Sequence, residues 1–331
     1  MTKTKIVTIW WGNGQSNLLD ALYLYYKKPV EISSIVSMSD DGRTTWELMR
    51  KFQDELWLHL PPPGDLRRCL FMMSASPKRD EFQQYMETVI ERNFKISELT
   101  LWDYFKLVGA DNDFKTHLQG VASAHEEVPK DYLWFTLPLS SSVKGHKVGN
   151  ILMANLYYNL WKDYNAMLSL MHKILEVQAE IIPVTTQKAT IKAVLSNGEV
   201  IETQDRIGDH AAYSCGISDL ELMEDSKHAY QHRDVFRAIK QADYIIISPW
   251  DLFTSTISNF VIGWVKEVIK NTNAQLVYIG NNMNKGWESK GETQGLTALD
   301  FINKIERFLG RRLDIYIANN SKPDISPDEF E

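Results

Sequence analysis

The chain has 331 residues, 44% of them hydrophobic and 24% charged, and a formal net charge of −7. That acidic balance excludes non-specific nucleic-acid binding, which needs a basic excess to displace phosphate counterions. No run approaches the roughly 18 apolar residues of a membrane span, so no membrane partner is expected.

The apolar stretch at residues 6–11 is too short for a signal peptide. Cys69 and Cys215 show no metal or redox spacing. The expectation is a reduced, cytoplasmic protein.

Residues 5–10 read as a strand and 17–27 as a helix. A second strand, 30–38, ends abruptly in Ser39-Asp40-Asp41-Gly42-Arg43. Thr44 and Glu47 fit a capping box for the helix that follows, which would leave Asp40, Asp41 and Arg43 free for chemistry. Residues 65–177 are helix-rich, with the helical period at 66–73, 79–92, 97–108 and 148–176. The character changes over 180–204, where 184–186, 190–195 and 200–203 read as strands around an Asn197-Gly198 hairpin turn. The α/β rhythm then returns: strand 242–247, helix 257–270, strand 275–279, helix 296–309 and strand 313–317. Residues 321–331, with two prolines and four acids, read as a disordered tail.

This alternation predicts an α/β fold, a three-layer α/β/α Rossmann-like and mostly parallel sheet. It would form a single domain over 1–320, with a helical and hairpin insertion at about 65–205 between two halves of the sheet. Parallel strands deliver their following loops to one edge, where open α/β sheets bind ligands. Gly12-Asn13-Gly14-Gln15-Ser16 could bring backbone amides to a phosphate at a helix N-terminus, or be a tight turn capped by Ser16. Asp40 and Asp41 could hold Mg²⁺, accept hydrogen bonds from ligand hydroxyls, act as a general base, or simply form a solvated turn. Ser248-Pro249-Trp250-Asp251 leads through Leu252, Thr254 and Ser255 to Asn259, a pattern that suits anion binding and ordinary capping alike. Asn281 and Asn282 close another strand.

In the middle of the chain, Pro61-Pro62-Pro63-Gly64-Asp65-Leu66-Arg67 places a rigid turn before a helix. Asp65 is a candidate N-cap and Arg67 a candidate phosphate clamp. His146 and Asn150 lie where a polar loop enters the helix at 148. A nicotinamide dehydrogenase is disfavoured, because Gly-x-Gly-x-x-Gly and its acidic partner are missing, so no NAD is expected.

In this order the motifs resemble the 2-phospho-L-lactate transferase (CofD) superfamily, most closely its YvcK-like, gluconeogenesis-factor branch. The matching segments are Gly12 to Ser16, Asp40-Asp41-Gly42, Pro62-Pro63-Gly64-Asp65-Leu66-Arg67, His146-Lys147-Val148-Gly149-Asn150, Ser248 to Ser255 with Asn259, and Gly291-Glu292-Thr293-Gln294-Gly295. There are departures. The glycine-rich first loop is reduced to Trp10-Trp11-Gly12-Asn13-Gly14, and Ser248-Pro249-Trp250-Asp251 stands where Gly-Pro-Gly-Ser is expected.

The resemblance implies a cytosolic regulator of carbon metabolism and cell-wall synthesis that binds a UDP-sugar and forms a homodimer. The other activity it implies is Mg²⁺-dependent phospholactyl transfer from a nucleotide-diphosphate-linked donor, with Asp40 and Asp41 as metal ligands or catalytic groups. On either reading Gly12, Asn13, Gly14, Ser16, Arg43, Arg67, Ser248, Leu252, Thr254, Ser255 and Asn259 would bind nucleotide or phosphate. Asp65, His146, Asn150, Trp250, Asn281 and Asn282 would line the substrate pocket.

Overall fold

The computed structural model describes residues 3–10, 18–19, 21–22, 30–39, 43–209, 216–249, 251–281 and 296–318; Trp10, Arg43 and Asp209 are described in their backbone alone. The chain divides into two compact units, Met1–Asp41 with Ala179–Glu331, and Gly42–Gln178.

The first unit is built on a six-stranded sheet. Strands β1 (Thr4–Trp10) and β2 (Val30–Val36) pair in parallel, and β2 pairs with β3 (Glu180–Pro183). On the other side of β1 lies β7 (Tyr244–Ile247), then β8 (Gln275–Ile279) and β9 (Ile315–Ile317), all parallel. The order β3-β2-β1-β7-β8-β9 runs outward from β1 in one direction and then in the other, the doubly wound arrangement. Ile9, Ile35, Val36, Ile245, Ile247 and Leu276 are completely buried. Sheets covered on both faces need such continuous apolar strands. Proline can occupy β3 because that strand lies at the sheet edge, where a missing amide breaks no inner ladder.

A separate three-stranded antiparallel sheet has the order β5-β4-β6, with β4 at Ile191–Leu195, β5 at Val200–Glu202 and β6 at Ile217–Leu222. Its hairpin turns at the expected Asn197-Gly198, where Gly198 has φ +87° and its amide donates to the Leu195 carbonyl at 2.9 Å. The sequence reading contained neither β3 nor β6. Helices α8 (Gln204–Asp209) and α9 (Arg233–Gln241) were likewise unexpected.

The second unit is helical: α1 (Arg43–Leu56), α2 (Gly64–Met72), α3 (Arg79–Glu87), α4 (Leu101–Leu107), α5 (Asn112–Ala124), α6 (Val148–Asn159) and α7 (Tyr164–Ile174). Phe114 of α5 gathers Phe82, Tyr85 and Phe105 around it at ring-centroid distances of 4.7, 4.9 and 5.2 Å. This unit ends before the hairpin, and β3 returns the chain to the main sheet first.

Three local expectations are corrected. The single helix over 148–176 is two, because Trp161 and Lys162 both adopt φ +59° and Asp163 then caps α7 by accepting from the Asn165 and Ala166 amides. The helix over 257–270 is interrupted. A π-helical turn, Leu252–Ile257, runs into α10 (Ser258–Phe260), and α11 (Val265–Lys270) starts afresh beyond Gly263 at φ +50°. Thr44 is not an N-cap, since α1 already begins at Arg43 and Glu47 pairs with Lys51 at 3.1 Å, one turn on. The last helix, α12 (Ala298–Leu309), does carry a capping box, from Thr297 and Asp300.

Candidate functional site

In the sheet unit, the crevice of a doubly wound sheet lies outside the carboxyl ends of the two strands at which the winding reverses. Those strands are β1 and β7, paired through Ile9 and Ile247. Ser248 follows β7 directly and is completely buried. The chain then enters the π-helical turn, a rare conformation found often at functional sites. Leu252, Thr254, Ser255 and Asn259 are all buried there. Asn259 Nδ2 donates to the Ser255 carbonyl at 2.8 Å. Beyond the end of β2, Ser37 and Ser39 share a hydrogen bond of 3.0 Å, and Ser37 Oγ lies 3.5 Å from Ser258 Oγ. Among the described residues no hydrogen-bond partner reaches Ser248 Oγ, Ser255 Oγ or Asn259 Oδ1. Leaving such a group unpaired costs about 1–3 kcal/mol, so three in one strand–helix connection mark a place built for something other than packing.

Asn281 follows β8 and, with Tyr278, Ala298, Phe301 and Tyr316, lines a pocket of about 60 Å³. The Tyr278 and Tyr316 rings stack at 5.5 Å.

In the helical unit, two motifs distant in sequence meet at Arg67. Its side chain is buried, and Nε and Nη2 contact Glu87 Oε1 at 3.0 and 2.8 Å. Its Nη1 donates to Asn150 Oδ1, while Lys147 Nζ holds Glu87 Oε2 at 2.5 Å. Gly149 is required beside it, because a Cβ there would collide with Arg67 Cδ and lie 3.0 Å from the Met86 carbonyl. Burial alone would raise the Glu87 carboxyl; the Arg67 charge and the Lys147 hydrogen bond outweigh it and hold it below the usual carboxylate range. Arg67 is thus committed to an internal ion pair. Asp65 is not the N-cap of α2. It lies in the first turn behind Pro63, buried, with Arg68 at 3.7 Å, where its charge suits the helix dipole.

His146 is completely buried, with Nε2 2.7 Å from Lys51 Nζ. An ammonium only donates, so Nε2 accepts and the proton sits on Nδ1. Burial pushes this imidazole down to about 4, the Lys51 charge acting in the same direction and Glu47 against it. Lys51 also donates to the Ser142 carbonyl at 2.9 Å, which with Glu47 engages all three of its N–H donors. His146 therefore joins α1 to the loop before α6.

Gly12, Asn13, Gly14, Ser16, Asp40, Asp41, Trp250, Asn282 and the side chain of Arg43 lie outside the described residues, as does the segment 291–295. Among the described residues no group of three or more His, Cys, Asp or Glu is placed to hold a metal. No helix there is long and apolar enough to cross a membrane. Sequence reasoning missed Glu87, Lys51 and Ser37. Only Lys51 left a signal, its i,i+4 spacing from Glu47; the others are joined to the motifs by tertiary packing alone.

An all-parallel doubly wound sheet with a hydroxyl-rich turn at its reversal point defines a Rossmann-like α/β protein. Within that class the chain belongs to the 2-phospho-L-lactate transferase CofD family, whose family model matches residues 6–329. Curated relatives bear the name "Putative gluconeogenesis factor". That of Streptococcus pneumoniae serotype 4 is 27% identical over 97% of this chain and 80% of its own length. That of Aquifex aeolicus is 24% identical over 98% and 80%. Among solved structures, protein BH3568 of Bacillus halodurans superposes with a TM-score of 0.72 at 24% identity, over 98% of this chain and 83% of its own. A second structure of BH3568, described as a member of the UPF0052 family, gives 0.71. These structures share the fold.

Proposed function

We propose that the chain is a YvcK-like regulator of carbon metabolism and cell-wall synthesis that binds a nucleotide sugar, a UDP-sugar first of all, in the crevice at the ends of β1 and β7. The observation that carries this reading is the set of unpartnered buried atoms on Ser248, Ser255 and Asn259. A ligand bearing both acceptors and donors would satisfy them and recover their desolvation cost. The first loop, Gly12 to Ser16, would supply amides to the diphosphate. Relatives named as gluconeogenesis factors along nearly the whole chain support a regulatory role. The protein would act in the cytoplasm as a homodimer.

Titration calorimetry against UDP-glucose and UDP-N-acetylglucosamine tests the reading. Heats that saturate at one ligand per chain are expected, and no binding to well-folded protein overturns it. The name of the matching family favours one second reading, Mg²⁺-dependent transfer from a nucleotide-diphosphate-linked donor. In that case Asp40 and Asp41 would hold the metal or activate the acceptor. Turnover that requires Mg²⁺ and is lost in Asp41→Asn would establish it in place of the first.

A further inference from the structure

Resting on the nucleotide-sugar reading, we infer that the turn after β7 receives the hydroxyl-bearing sugar of the ligand rather than its diphosphate, with the Asn259 carboxamide oxygen as the acceptor that reads a sugar hydroxyl.

The polarity of Asn259 is fixed by its neighbours. Its Nδ2 donates to the Ser255 carbonyl at 2.8 Å and lies 3.5 Å from that of Thr256. Reversing the amide would set oxygen against two carbonyl oxygens. Oδ1 is therefore the free end, and it can only accept. It belongs to a completely buried residue and has no partner among the described residues. A phosphate oxygen is itself an acceptor and cannot satisfy it. A hydroxyl can.

The start of the same helical run carries a second sign. Asp251 occupies the N-cap position of Leu252–Ile257, and its carboxylate does not cap the following amides. With Ser258–Phe260 continuing the run, this is the N-terminus of nine helical residues. Such an end attracts anions through its partial positive charge. A carboxylate in that position already complements the charge and repels a second anion beside it. The hydroxyls of Ser248 and Ser255 each donate or accept, so they can pair with neighbouring hydroxyls of one ring. The inventory around this turn is one fixed acceptor, one negative charge and two amphoteric hydroxyls. It matches a polyol and mismatches a diphosphate.

Calorimetry on the full chain with paired probes, UDP with UDP-glucose and GDP with GDP-mannose, tests this. In one pair at least, the sugar nucleotide is expected to bind about tenfold more tightly than its nucleoside diphosphate. Asn259→Ala should abolish most of that ratio and leave the nucleoside diphosphate within about twofold of its native affinity. Asp251→Ser, at a half-buried position, should tighten the nucleoside diphosphate severalfold, and it carries the test should thermal melting show that Asn259→Ala does not fold. Equal affinities within both pairs overturn the inference. So does an Asn259→Ala variant that weakens both members of a pair alike, or an Asp251→Ser variant with unchanged diphosphate affinity. If no probe binds the native chain, the functional reading itself falls and this inference with it.

Discussion

The Arg67 guanidinium is the most expensive group in the helical unit to bury. Glu87, Lys147 and Asn150 share the cost of burying it. Breaking a buried ion pair by removing one partner costs more than replacing both, since it strands a charge. Glu87→Ala is thus expected to destabilise the protein by about 3–5 kcal/mol, and adding Arg67→Met should recover a good part of that loss. Urea unfolding of the two single variants and the double one reads the coupling directly; additive losses would show that the pair acts independently. His146 supplies the pH dependence at this scale. Its folded pKa, about 4, lies below the ordinary histidine value near 6.5, so between the two the unfolded chain binds the extra proton. The stability from the neutral, buried imidazole is fully present above about pH 6.5 and is lost as pH falls toward 4. The loss amounts to as much as about 3 kcal/mol. Melting temperature should drop over that window more steeply in the native chain than in His146→Gln, which carries no titrating group there.

Where elements begin and end was only partly legible in the sequence. The strands β7 and β8 were plain as apolar runs, and β1 and β2, which include polar residues such as Thr8, Ser33 and Ser34, were plain through their β-branched Ile and Val content. β6 was not. A register irregularity at Val194/Leu195 of β4 accompanies a burial pattern along β6 that does not alternate strictly, so the period-two signal is absent. The 148–176 region kept its apolar spacing through a break, and periodicity could not reveal that Trp161 and Lys162 turn left-handed. The signal lay in Asp163, a residue type that favours N-caps over helix interiors. Of the candidate site, the segment from Ser248 to Asn259 was found through its hydroxyls. The engagement of Arg67 was not, because Glu87 is tied to it by folding alone. Two predictions belong at this scale. Asp163→Ala removes the cap that accepts from the Asn165 and Ala166 amides and should cost about 1 kcal/mol. Trp161→Gly should stabilise by roughly 0.5–1 kcal/mol, since a side chain that is 90% exposed loses little packing and glycine removes the left-handed penalty. Chemical denaturation checks both, and a destabilised Trp161→Gly would mean that the indole does packing work the exposed surface conceals.

At the scale of the whole chain, the strand order β3-β2-β1-β7-β8-β9 is kept although two of its crossovers are long. The link from β2 to β3 contains the entire helical unit, and the link from β3 to β7 contains the antiparallel sheet. An insertion of that size is tolerated because loop-closure entropy grows only slowly with length. An insertion that large also needs a core of its own. The segment Gly42–Gln178 has one, centred on Phe114 and on the Arg67 ion pair. Its C-terminal end is tied back into the unit: Gln178 N donates to the Met73 carbonyl at 2.8 Å, and Ser74 bridges to Val177. A chain of residues 42–178 alone should therefore fold, with helical circular dichroism, dispersed near-ultraviolet signal from its tryptophans and a single cooperative melt. The Glu87→Ala loss measured in the full chain should reappear in that fragment at similar size, because every partner of Arg67 named above is inside it. A fragment with helical signal but no cooperative transition would show instead that the unit needs the sheet to fix its packing.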